Sequence, residues 1–426
     1  MTTVALYTLG CKVNQVESGK MAADFAARGF QVVDPSEPAD ICVVNTCTVT
    51  HVSDRKSRAL LRRLRRRHPQ AVVVATGCLA TVGQASLREM AEVDMVVPNA
   101  DKERLAELVA GRLGIASRAA PAARPAGRTR GFVKVQDGCE SHCAYCIVPL
   151  ARGRVRSAPP LEVVEEVRAL VGAGCREVVL TGIHIGTYGA DLPGWDLVRL
   201  LELLLERVQG DYRLRLGSLE PLEVGEGVVG LMSADARLCR HLHIPLQSGS
   251  DRVLRRMNRR YDRAFYRGLV EGLACSIPGI AVTADVMVGF PGETERDFAD
   301  TFELLRALPL LDLHVFRFSP RPGTAAAEWG DLPGPAECAR RSRQLLELAA
   351  DKKADFIRAS VGGVERVLVE ERVGERWEGL TDTYVRVVLD DDGLEAGQLV
   401  TVRIVGAAQE AAQGKVVCRD GWSAGG

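Results

Sequence analysis

Residues 132–146 read FVKVQDGCESHCAYC, and this stretch decides how the centre of the chain is interpreted. The alternating apolar run Phe132–Gln136 predicts a β-strand. The strand leads directly into Cys139, Cys143 and Cys146. Three thiolates so close in sequence can hold three corners of a [4Fe–4S] cube, which leaves the fourth iron without a protein ligand. An iron with open sites is a Lewis acid that the amine and the carboxylate of a small molecule can chelate.

A zinc site is the alternative that this spacing leaves open. Structural zinc usually takes four ligands, often from paired C-x2-C units, and His142 is available as a fourth ligand inside the triplet. Disulfides are a poorer explanation of the 12 cysteines. The N-terminus lacks a signal peptide, and no stretch reaches the roughly 18 apolar residues that a membrane helix needs. We therefore expect a cytoplasmic protein with no membrane partner, in which clustered cysteines bind metal or catalyse.

Outward from the triplet, strand and helix patterns alternate as far as Phe318. Six βα units favour an open or partial barrel of parallel strands, with chemistry at the carboxyl ends of the strands. The predicted strands are Phe132–Gln136, Glu177–Thr181, Arg213–Gly217, His241–Pro245, Val282–Val288 and Asp312–Phe318. The helical patterns between them include Leu161–Val171, Leu197–Arg207, Phe265–Cys275 and Glu295–Leu308.

The remainder of the chain predicts two further domains. Residues 1–116 alternate strands with amphipathic helices, which favours a parallel α/β sheet, and an Ala/Pro/Arg/Gly-rich linker follows at 117–130. The barrel is expected over 131–357, and short β-type runs over 358–426 predict a small β-barrel. The strands predicted outside the central barrel are Val4–Thr8, Ile41–Asn45, Val72–Thr76, Met95–Val97, Val364–Glu371, Thr383–Val388 and Leu399–Val405.

The triplet, with Tyr145 before its last cysteine at the end of the first barrel strand, resembles the radical S-adenosylmethionine superfamily. Taken singly, the later strand-end residues have plainer interpretations, because GFPGE fits a turn and Gln247 with Ser248 fits a helix N-cap. The resemblance implies that they shape the adenosine and methionine pocket together with Tyr145. These residues are Thr181, Gly182, Ser218, Glu220, His243, Gln247, Ser248, Asp285, Phe290 and Pro291.

A second group of cysteines lies in the first domain. Cys11, Cys47 and Cys78 each follow a predicted strand, and in a parallel sheet such loops converge at one edge. These thiols are therefore candidates for a second cluster. The remaining cysteines lie alone or within apolar runs, where a buried small hydrophobic residue is the default: Cys42, Cys175, Cys239, Cys275, Cys338 and Cys418.

The order Cys11, Cys47, Cys78 ahead of a radical domain is similar to the methylthiotransferase family, and this similarity extends over nearly the whole chain. GCKVNQ at residues 10–15 is most similar to the branch that acts on tRNA threonylcarbamoyladenosine, the MtaB-type branch. The resemblance implies two [4Fe–4S] clusters and S-adenosylmethionine. The catalytic cluster on Cys139, Cys143 and Cys146 would release a 5′-deoxyadenosyl radical, and the cluster on the other triplet would present a sulfur that is methylated by a second S-adenosylmethionine.

The implied reaction adds a methylthio group to C2 of N6-threonylcarbamoyladenosine beside the tRNA anticodon. The resemblance also implies an external electron donor and a sulfur donor as partners. Two related substrates stay open, a ribosomal protein and dimethylallyl-adenosine tRNA. From another class, a non-catalytic metal-containing RNA-binding protein is the alternative.

The charge distribution predicts where RNA binds. The formal net charge is zero, yet Asp54–His68 reads DRKSRALLRRLRRRH and holds eight Lys or Arg, which favours a polyanion partner over a merely solvated helix. The C-terminal barrel resembles a TRAM domain but carries a net charge of −5 over residues 361–417, so we expect docking through a local surface. Possible extensions of the patch are Arg124, Arg128, Arg130, Arg152, Arg154 and Arg156. Candidates to contact a splayed base are His314, Phe316, Phe318 and Arg321.

Overall fold

The computed structural model describes residues 1–115, 129–408 and 410–419. These residues form two compact units. The first contains residues 1–127, 137–154 and 319–328, and the second contains residues 128–136, 155–318 and 329–426, with the undescribed positions excepted. Most of the expected linker lies outside the described residues, as do Arg124 and Arg128 of the predicted basic patch.

A five-stranded parallel sheet forms the centre of the first unit, in the order β2-β1-β3-β4-β5. Its strands are β1 (Thr3–Thr8), β2 (Gln31–Val33), β3 (Ile41–Thr46), β4 (Val72–Gly77) and β5 (Met95–Val97). The helices are α1 (Lys12–Ala27), α2 (His51–Arg67), α3 (Cys78–Val82), α4 (Gln84–Arg88) and α5 (Leu105–Leu113), with a 3-10 helix at Asn99–Arg104. The predicted parallel α/β domain is confirmed.

The amphipathic pattern of α2 explains how it joins this sheet. Leu60, Leu61 and Leu64 are spaced on one face of the helix and are buried in an apolar cluster against β3 and β4. The helix starts where Thr50 accepts a hydrogen bond from the backbone N–H of Ser53. Most of its arginines therefore face outward.

The first unit also takes in two segments that lie far apart in sequence. Residues 137–154 carry the cysteine triplet and the short helix α6 (Val148–Arg152). Residues 319–328 carry a 3-10 helix, Ala325–Glu328. The backbone N–H of Ala326 donates to the carbonyl of Ala144, 2.8 Å away, which joins the two segments.

The second unit contains the predicted partial barrel. Its strands pair in parallel as β10-β9-β6 and as β11-β12-β13, and isolated parallel bridges from Leu214 to Leu238 and from Ser218 to His243 link the two groups. The six strands thus follow one another in the order expected for successive βα units, and the predicted fold class is confirmed. The strands are β6 (Arg130–Lys134), β9 (Glu177–Thr181), β10 (Arg213–Leu216), β11 (His241–His243), β12 (Ala281–Val288) and β13 (Asp312–Arg317), with the short strands β7 (Gln136–Asp137) and β8 (Arg156–Ser157) between the first two.

Helices pack on the outside of these strands around one large apolar core. They are α7 (Pro160–Gly172), α8 (Leu197–Arg207), α9 (Glu226–Ala234), α10 (Asp251–Arg256), α11 (Arg263–Ser276), α12 (Glu295–Ala307) and α13 (Pro335–Ala359), with 3-10 helices at Ile185–Thr187 and Pro221–Glu223. The predicted cap at Gln247 and Ser248 is corrected, because Ser250 is the residue that caps α10 by accepting from Val253.

A closed five-stranded barrel ends the chain, in the order β14-β15-β16-β18-β17. Its strands are β14 (Val364–Val373), β15 (Arg376–Thr381), β16 (Arg386–Leu389), β17 (Leu399–Ala407) and β18 (Ala412–Cys418). The expected small β-barrel is confirmed, although β15 and β18 carry too many polar residues to have been predicted. Within the described residues, none of the helices combines the length and apolar composition needed to span a bilayer.

Candidate active site

The three cysteines of the first domain lie at the carboxyl ends of neighbouring strands. Cys11 is the N-cap of α1, just after β1, while Cys47 directly follows β3 and Cys78 begins α3 after β4. Because β1, β3 and β4 are adjacent in the sheet, their ends meet at one edge, as the sequence predicted. Cys11 is exposed, whereas the other two are buried.

Gly10 allows this close approach. It adopts a φ of +101°, and a Cβ at this position would lie 2.7 Å from the Cβ and 2.9 Å from the Sγ of Cys47. Only glycine fits both that conformation and that space. The loop that carries Cys11 is therefore packed directly on Cys47.

The thiols also influence one another electrostatically. Burial raises the pKa of the Cys47 thiol, and the nearby Cys78 and Cys11 raise it further. A metal that binds such thiols must displace their protons, and in return its positive charge stabilises the thiolates. The thiolate forms of three neighbouring cysteines repel one another unless a positive charge lies between them. Three such side chains at one sheet edge are therefore a donor set that fits a metal cluster.

A buried network of charged side chains lies beneath this edge. Glu17 accepts from Lys102 at 2.6 Å and from Arg152 at 2.8 Å, and all three side chains are almost completely buried. Arg152 also contacts Asp137 at 3.1 Å and donates to the side-chain oxygen of Asn14 at 2.6 Å. Coulombic attraction to Cys78, Glu17 and Asp137 outweighs the burial that would lower the pKa of Arg152, and holds that pKa well above its ordinary value. The network is satisfied within itself, as buried charges require.

Asn99 connects Cys78 to the segment after the second triplet. Its side-chain N–H group donates to the carbonyl of Ala151 at 2.7 Å and lies 3.8 Å from the Sγ of Cys78. N–H groups directed at a ligating sulfur stabilise negative charge on the cluster. Asn99 is thus a polar neighbour of the candidate metal site.

The second triplet along the chain, Cys139, Cys143 and Cys146, lies on a loop shaped by backbone hydrogen bonds. Cys139 donates its N–H to the carbonyl of Gly153, and Cys146 donates to the carbonyl of Cys143. Gly138 has a φ of +75°, and a Cβ there would be only 1.8 Å from the carbonyl oxygen of Arg154. All three cysteines are partly exposed, so their sulfurs are reachable by an external ligand. Both triplets belong to the first compact unit.

In the second unit, the predicted cofactor residues gather at the carboxyl ends of the parallel strands. Gln247, just after β11, is the clearest of them, because it is buried and has a φ of +68°. Within the described part of the chain its side-chain oxygen accepts no hydrogen bond. A strained backbone that holds an unsatisfied buried acceptor indicates a position reserved for a ligand. This fits a cofactor with N–H donors such as S-adenosylmethionine.

Other predicted pocket residues are engaged with the protein itself. Phe290 is fully buried and makes edge contacts with the rings of Phe318 and Trp329, at centroid distances of 5.5 and 5.8 Å. Ser248 lies 3.3 Å from the hydroxyl of Thr301. Of the other pocket residues, Thr181 and Pro291 are buried, Gly182 and Asp285 are partly buried, and Ser218 is exposed. Glu220 pairs with Arg259, and Tyr145 lies in the first unit.

Two predicted RNA contacts are corrected by the structure. Arg152 is buried in the network beneath the first triplet, so it does not extend a basic surface. Arg321 is buried too, where it donates to Thr48 and Asp54 at 2.6 Å and so cannot contact a base. Arg130 pairs with Glu370 at 2.7 Å. Of the other cysteines expected to be buried, Cys275 and Cys418 are exposed.

The sequence interpretation missed the polar residues that support the first triplet. Asn14 and Glu17 follow Cys11 at spacings of three and six residues, which places all three along one side of α1. That periodicity was a usable signal. Lys102 and Asn99 had no comparable signal, because they sit in a 3-10 helix whose position depends on the folded sheet.

Comparison with known proteins identifies two family matches. Residues 3–98 match the Uncharacterized protein family UPF0004, and residues 133–305 match the Radical SAM superfamily. A threonylcarbamoyladenosine tRNA methylthiotransferase MtaB of Bacillus subtilis is 36% identical over 98% of this chain and 97% of its own length. The protein of the same name from Thermotoga maritima is also 36% identical, with the same shares covered. A tRNA-2-methylthio-N6-dimethylallyladenosine synthase of Carboxydothermus hydrogenoformans is 32% identical over 94% of this chain and 96% of its own length.

Among solved structures, the chain resembles the radical S-adenosylmethionine methyltransferase TsrM of Kitasatospora setae, which was determined with cobalamin and a [4Fe–4S] cluster bound. The TM-score is 0.58 at 16% identity, over 77% of this chain and 74% of that one, which is a likeness of fold alone. The sequence relatives, by contrast, match from end to end. The chain therefore belongs to the radical S-adenosylmethionine methylthiotransferases, a family of iron–sulfur enzymes.

Proposed function

We propose that this protein adds a methylthio group to C2 of N6-threonylcarbamoyladenosine in tRNA. The observation that carries the proposal is the pair of cysteine triplets within one compact unit, in a chain whose full-length relatives bear the name of this activity. The adenine C2–H bond is not acidic, so a general base cannot remove its hydrogen. A carbon radical can, and the superfamily is named for such chemistry.

Cys139, Cys143 and Cys146 hold the catalytic [4Fe–4S] cluster. With only three thiolates on four irons, that cluster supplies an open metal site and an electron for the reductive cleavage of S-adenosylmethionine. Partial exposure of all three cysteines agrees with access by the cofactor and by an external electron donor. Zinc is the poorer fit, because the chain belongs to a family of iron–sulfur enzymes.

Cys11, Cys47 and Cys78 hold the second cluster, close to the sulfur that is transferred. The first of these residues is exposed and the other two are buried, so the site opens toward solvent on the Cys11 side. Asn99 lies 3.8 Å from the Sγ of Cys78, and the buried charges of Arg152 and Lys102 interact electrostatically with this thiol, so these residues would stabilise negative charge on a bound cluster. An external sulfur donor restores the site after each turnover.

In the second unit, S-adenosylmethionine is bound by the strand-end loops. Gln247, whose side-chain oxygen accepts no hydrogen bond within the described residues, would accept one from an N–H group of the cofactor. Buried members such as Phe290 position these loops rather than touch the ligand. The pocket residues are Thr181, Gly182, Ser218, Glu220, His243, Gln247, Ser248, Asp285, Phe290 and Pro291.

The tRNA is bound by the outer face of α2, where Arg55, Lys56, Arg63, Arg66 and Arg67 are exposed. Arg154 and Arg156 are exposed as well and extend this role. We also propose the domain limits that the sequence predicts. The C-terminal barrel is TRAM-like and binds RNA through a local surface, because its net negative charge disfavours broad electrostatic binding. The protein works in the cytoplasm, where its tRNA substrate is found.

Dimethylallyl-adenosine tRNA is a second candidate substrate. Relatives named as dimethylallyladenosine synthases reach 32–36% identity, which overlaps the range of the threonylcarbamoyladenosine enzymes. The two substrates differ only in the group on N6, so the same radical step serves either. The substituent that the pocket accepts decides between them.

Mass spectrometry of tRNA nucleosides from cells that lack this protein tests the proposal. We expect the methylthio form of threonylcarbamoyladenosine to disappear and its unmodified form to accumulate. A wild-type copy should restore the product. Copies with Cys143→Ala or Cys47→Ala should not, and each purified variant should retain about half of the iron. An unchanged nucleoside profile would reject the proposed function.

A further inference from the structure

A chain of hydrogen-bonding side chains lines one face of β11–β13 in the second unit. The hydroxyl of Thr283 lies 3.4 Å from Nε2 of His241 and 2.9 Å from Nδ1 of His243. Asp285 Oδ1 lies 3.1 Å from Nε2 of His243 and 3.3 Å from Nδ1 of His314. Alternation along parallel strands places these residues on one side of the sheet. Barrel interiors are usually filled by apolar side chains, so this chain calls for a function.

Hydrogen-bond chemistry fixes the direction of this chain. The Asp285 carboxylate only accepts, so His243 donates to it from Nε2, and the neutral tautomer that does so accepts at Nδ1 from the Thr283 hydroxyl. That hydroxyl can then accept from Nε2 of His241. On the other side, His314 donates to Asp285 from Nδ1, and in the neutral tautomer that does so Nε2 is an acceptor. Hydrogen bonds from both histidines hold the pKa of Asp285 well below its ordinary value, although burial opposes this.

Exposure rises steadily along the chain. His241 is only 7% exposed, whereas the side chains of His243, Asp285 and His314 expose 15%, 29% and 61%. The His314 ring also stacks on His243, with 4.9 Å between centroids. An exposed histidine whose orientation and tautomer are fixed by a buried relay is preorganised to contact a ligand. It lies on β13, beside the strand that leads into the Gly289–Gly292 loop.

The two candidate substrates differ in what such an acceptor can recognise. A threonylcarbamoyl substituent offers a urea N–H and a hydroxyl as donors, whereas a dimethylallyl substituent is apolar beyond N6. A polar pocket built to bond a donor rejects the apolar analogue, because the pocket group is left unpaired. We propose that His314, positioned by Asp285 and His243, contacts the threonylcarbamoyl substituent and so determines which modified adenosine the enzyme accepts. This inference rests on the proposed function and names the basis of its substrate choice.

A metal site is the competing explanation. The ligand atoms of His243, Asp285 and His314 all lie within 4.8 Å of one another, and two histidines with one carboxylate can bind a divalent transition metal. In the present geometry, both ring nitrogens that face Asp285 lie within hydrogen-bond distance of the same carboxylate oxygen. Metal analysis of the purified enzyme separates the two explanations.

The test uses two anticodon stem-loop RNAs that differ only in carrying threonylcarbamoyl- or dimethylallyl-adenosine. With anaerobically reconstituted enzyme, His314→Ala should lower kcat/KM for the threonylcarbamoyl RNA about tenfold or more, chiefly through KM. The rate on the dimethylallyl RNA should stay the same or rise. His314→Gln, which keeps a hydrogen-bonding amide, should recover part of the loss.

Arg317→Ala is the matched control, because Arg317 is exposed on the same strand but three residues on, and so on the opposite face. This variant should leave kcat/KM unchanged on both RNAs. An equal loss on both RNAs for His314→Ala, or a stoichiometric non-iron metal that disappears with this substitution, would overturn the inference alone. If the wild-type enzyme modifies neither RNA, the proposed function fails and the inference fails with it.

Discussion

Arg152 donates to the carboxylate of Glu17 at 2.8 Å, and the two side chains are 1% and 6% exposed. Glu17 lies six residues after Cys11, and Arg152 lies six residues after Cys146. One buried ion pair therefore joins α1, which begins directly after Cys11, to the short helix α6, which follows Cys146. This contact holds the two candidate cluster segments in a single compact unit.

Removing the arginine should destabilise that unit. Arg152→Ala leaves Glu17 and Asp137 buried with less positive charge, and breaking a buried pair in this way costs about 3–5 kcal/mol. Hydrogen exchange measured by mass spectrometry on α1 peptides should become faster. Trp195, Trp329 and Trp377 lie in the second unit and Trp422 lies outside the described residues, so the tryptophan fluorescence transition should barely move. Unchanged exchange in α1 would contradict the assigned role.

Two further variants complete this experiment. Arg112→Ala removes an exposed arginine of the same unit and should leave the exchange of α1 as it is. Glu17→Gln should reproduce the effect of Arg152→Ala in part, because Lys102 loses its anion and Arg152 keeps only Asp137. A larger effect for Arg112→Ala than for either of these variants would mean that the exchange reports surface charge.

Asn99 should tune the second cluster rather than support the fold. Its N–H group lies 3.8 Å from the Sγ of Cys78, and hydrogen bonds to ligating sulfurs stabilise the reduced state of a cluster. Asn99→Ala should therefore lower the reduction potential of the cluster on Cys11, Cys47 and Cys78, on the order of tens of millivolts. Electron paramagnetic resonance of a Cys143→Ala background isolates that cluster. A potential equal to that of the parent would show that the contact is electrostatically silent.

The sequence was sufficient for the elements whose pattern is local. The strands of the first unit and of the barrel were placed to within two residues at most ends, because apolar runs and glycine turns mark them. The short strand β2 was missed, since Gln31–Val33 is exposed and carries little pattern. The cysteine loops were predicted because each follows a strand, and parallel strands fix where their ends meet.

Side-chain roles that depend on distant partners were not predictable. From the sequence, Arg152 and Arg321 are expected at the surface. In the structure each is buried, because it forms an ion pair with a carboxylate that is far away in the chain. Asp54, the partner of Arg321, lies 267 residues away. Charge alone cannot distinguish a basic surface from a buried ion pair when the partner is non-local.

The exposed arginines of α2 should control RNA affinity. Arg63→Ala combined with Arg66→Ala removes two cations, and each lost phosphate contact reduces the slope of log K against log salt by about 0.7–0.9. We expect weaker binding of a tRNA anticodon arm and a slope smaller by about 1.5, measured by fluorescence anisotropy at several salt concentrations. Arg112→Ala, on another helix of the same unit, serves as the control, and the effects are compared per cation removed. An equal effect of Arg112→Ala would indicate attraction by overall charge instead of by this helix.

Acid should weaken the second unit through one buried carboxylate. Glu177 is fully buried and bonds Arg213 at 2.6 Å and Arg215 at 2.9 Å. These guanidinium groups also donate to backbone carbonyls of the C-terminal barrel, among them those of Leu380 and Asp382 at 2.9 and 2.7 Å. Burial by itself would raise the pKa of Glu177, but the two arginines outweigh it and lower that pKa from 4.5 to about 2.

The sign of the pH effect follows from this shift. A carboxylate with a lowered pKa in the folded state contributes its stability fully above about 4.5 and loses it as pH falls toward about 2. The contribution is about 3 kcal/mol at neutral pH. The urea midpoint of the tryptophan fluorescence transition should fall between pH 5 and pH 3. Glu177→Gln should lower the midpoint at pH 7 and flatten its change over that range, whereas Glu347→Gln, on the exposed face of α13, should leave the wild-type profile intact. If Glu177→Gln keeps the full acid sensitivity, another group must be responsible for it, because the glutamine has no proton to gain in this range.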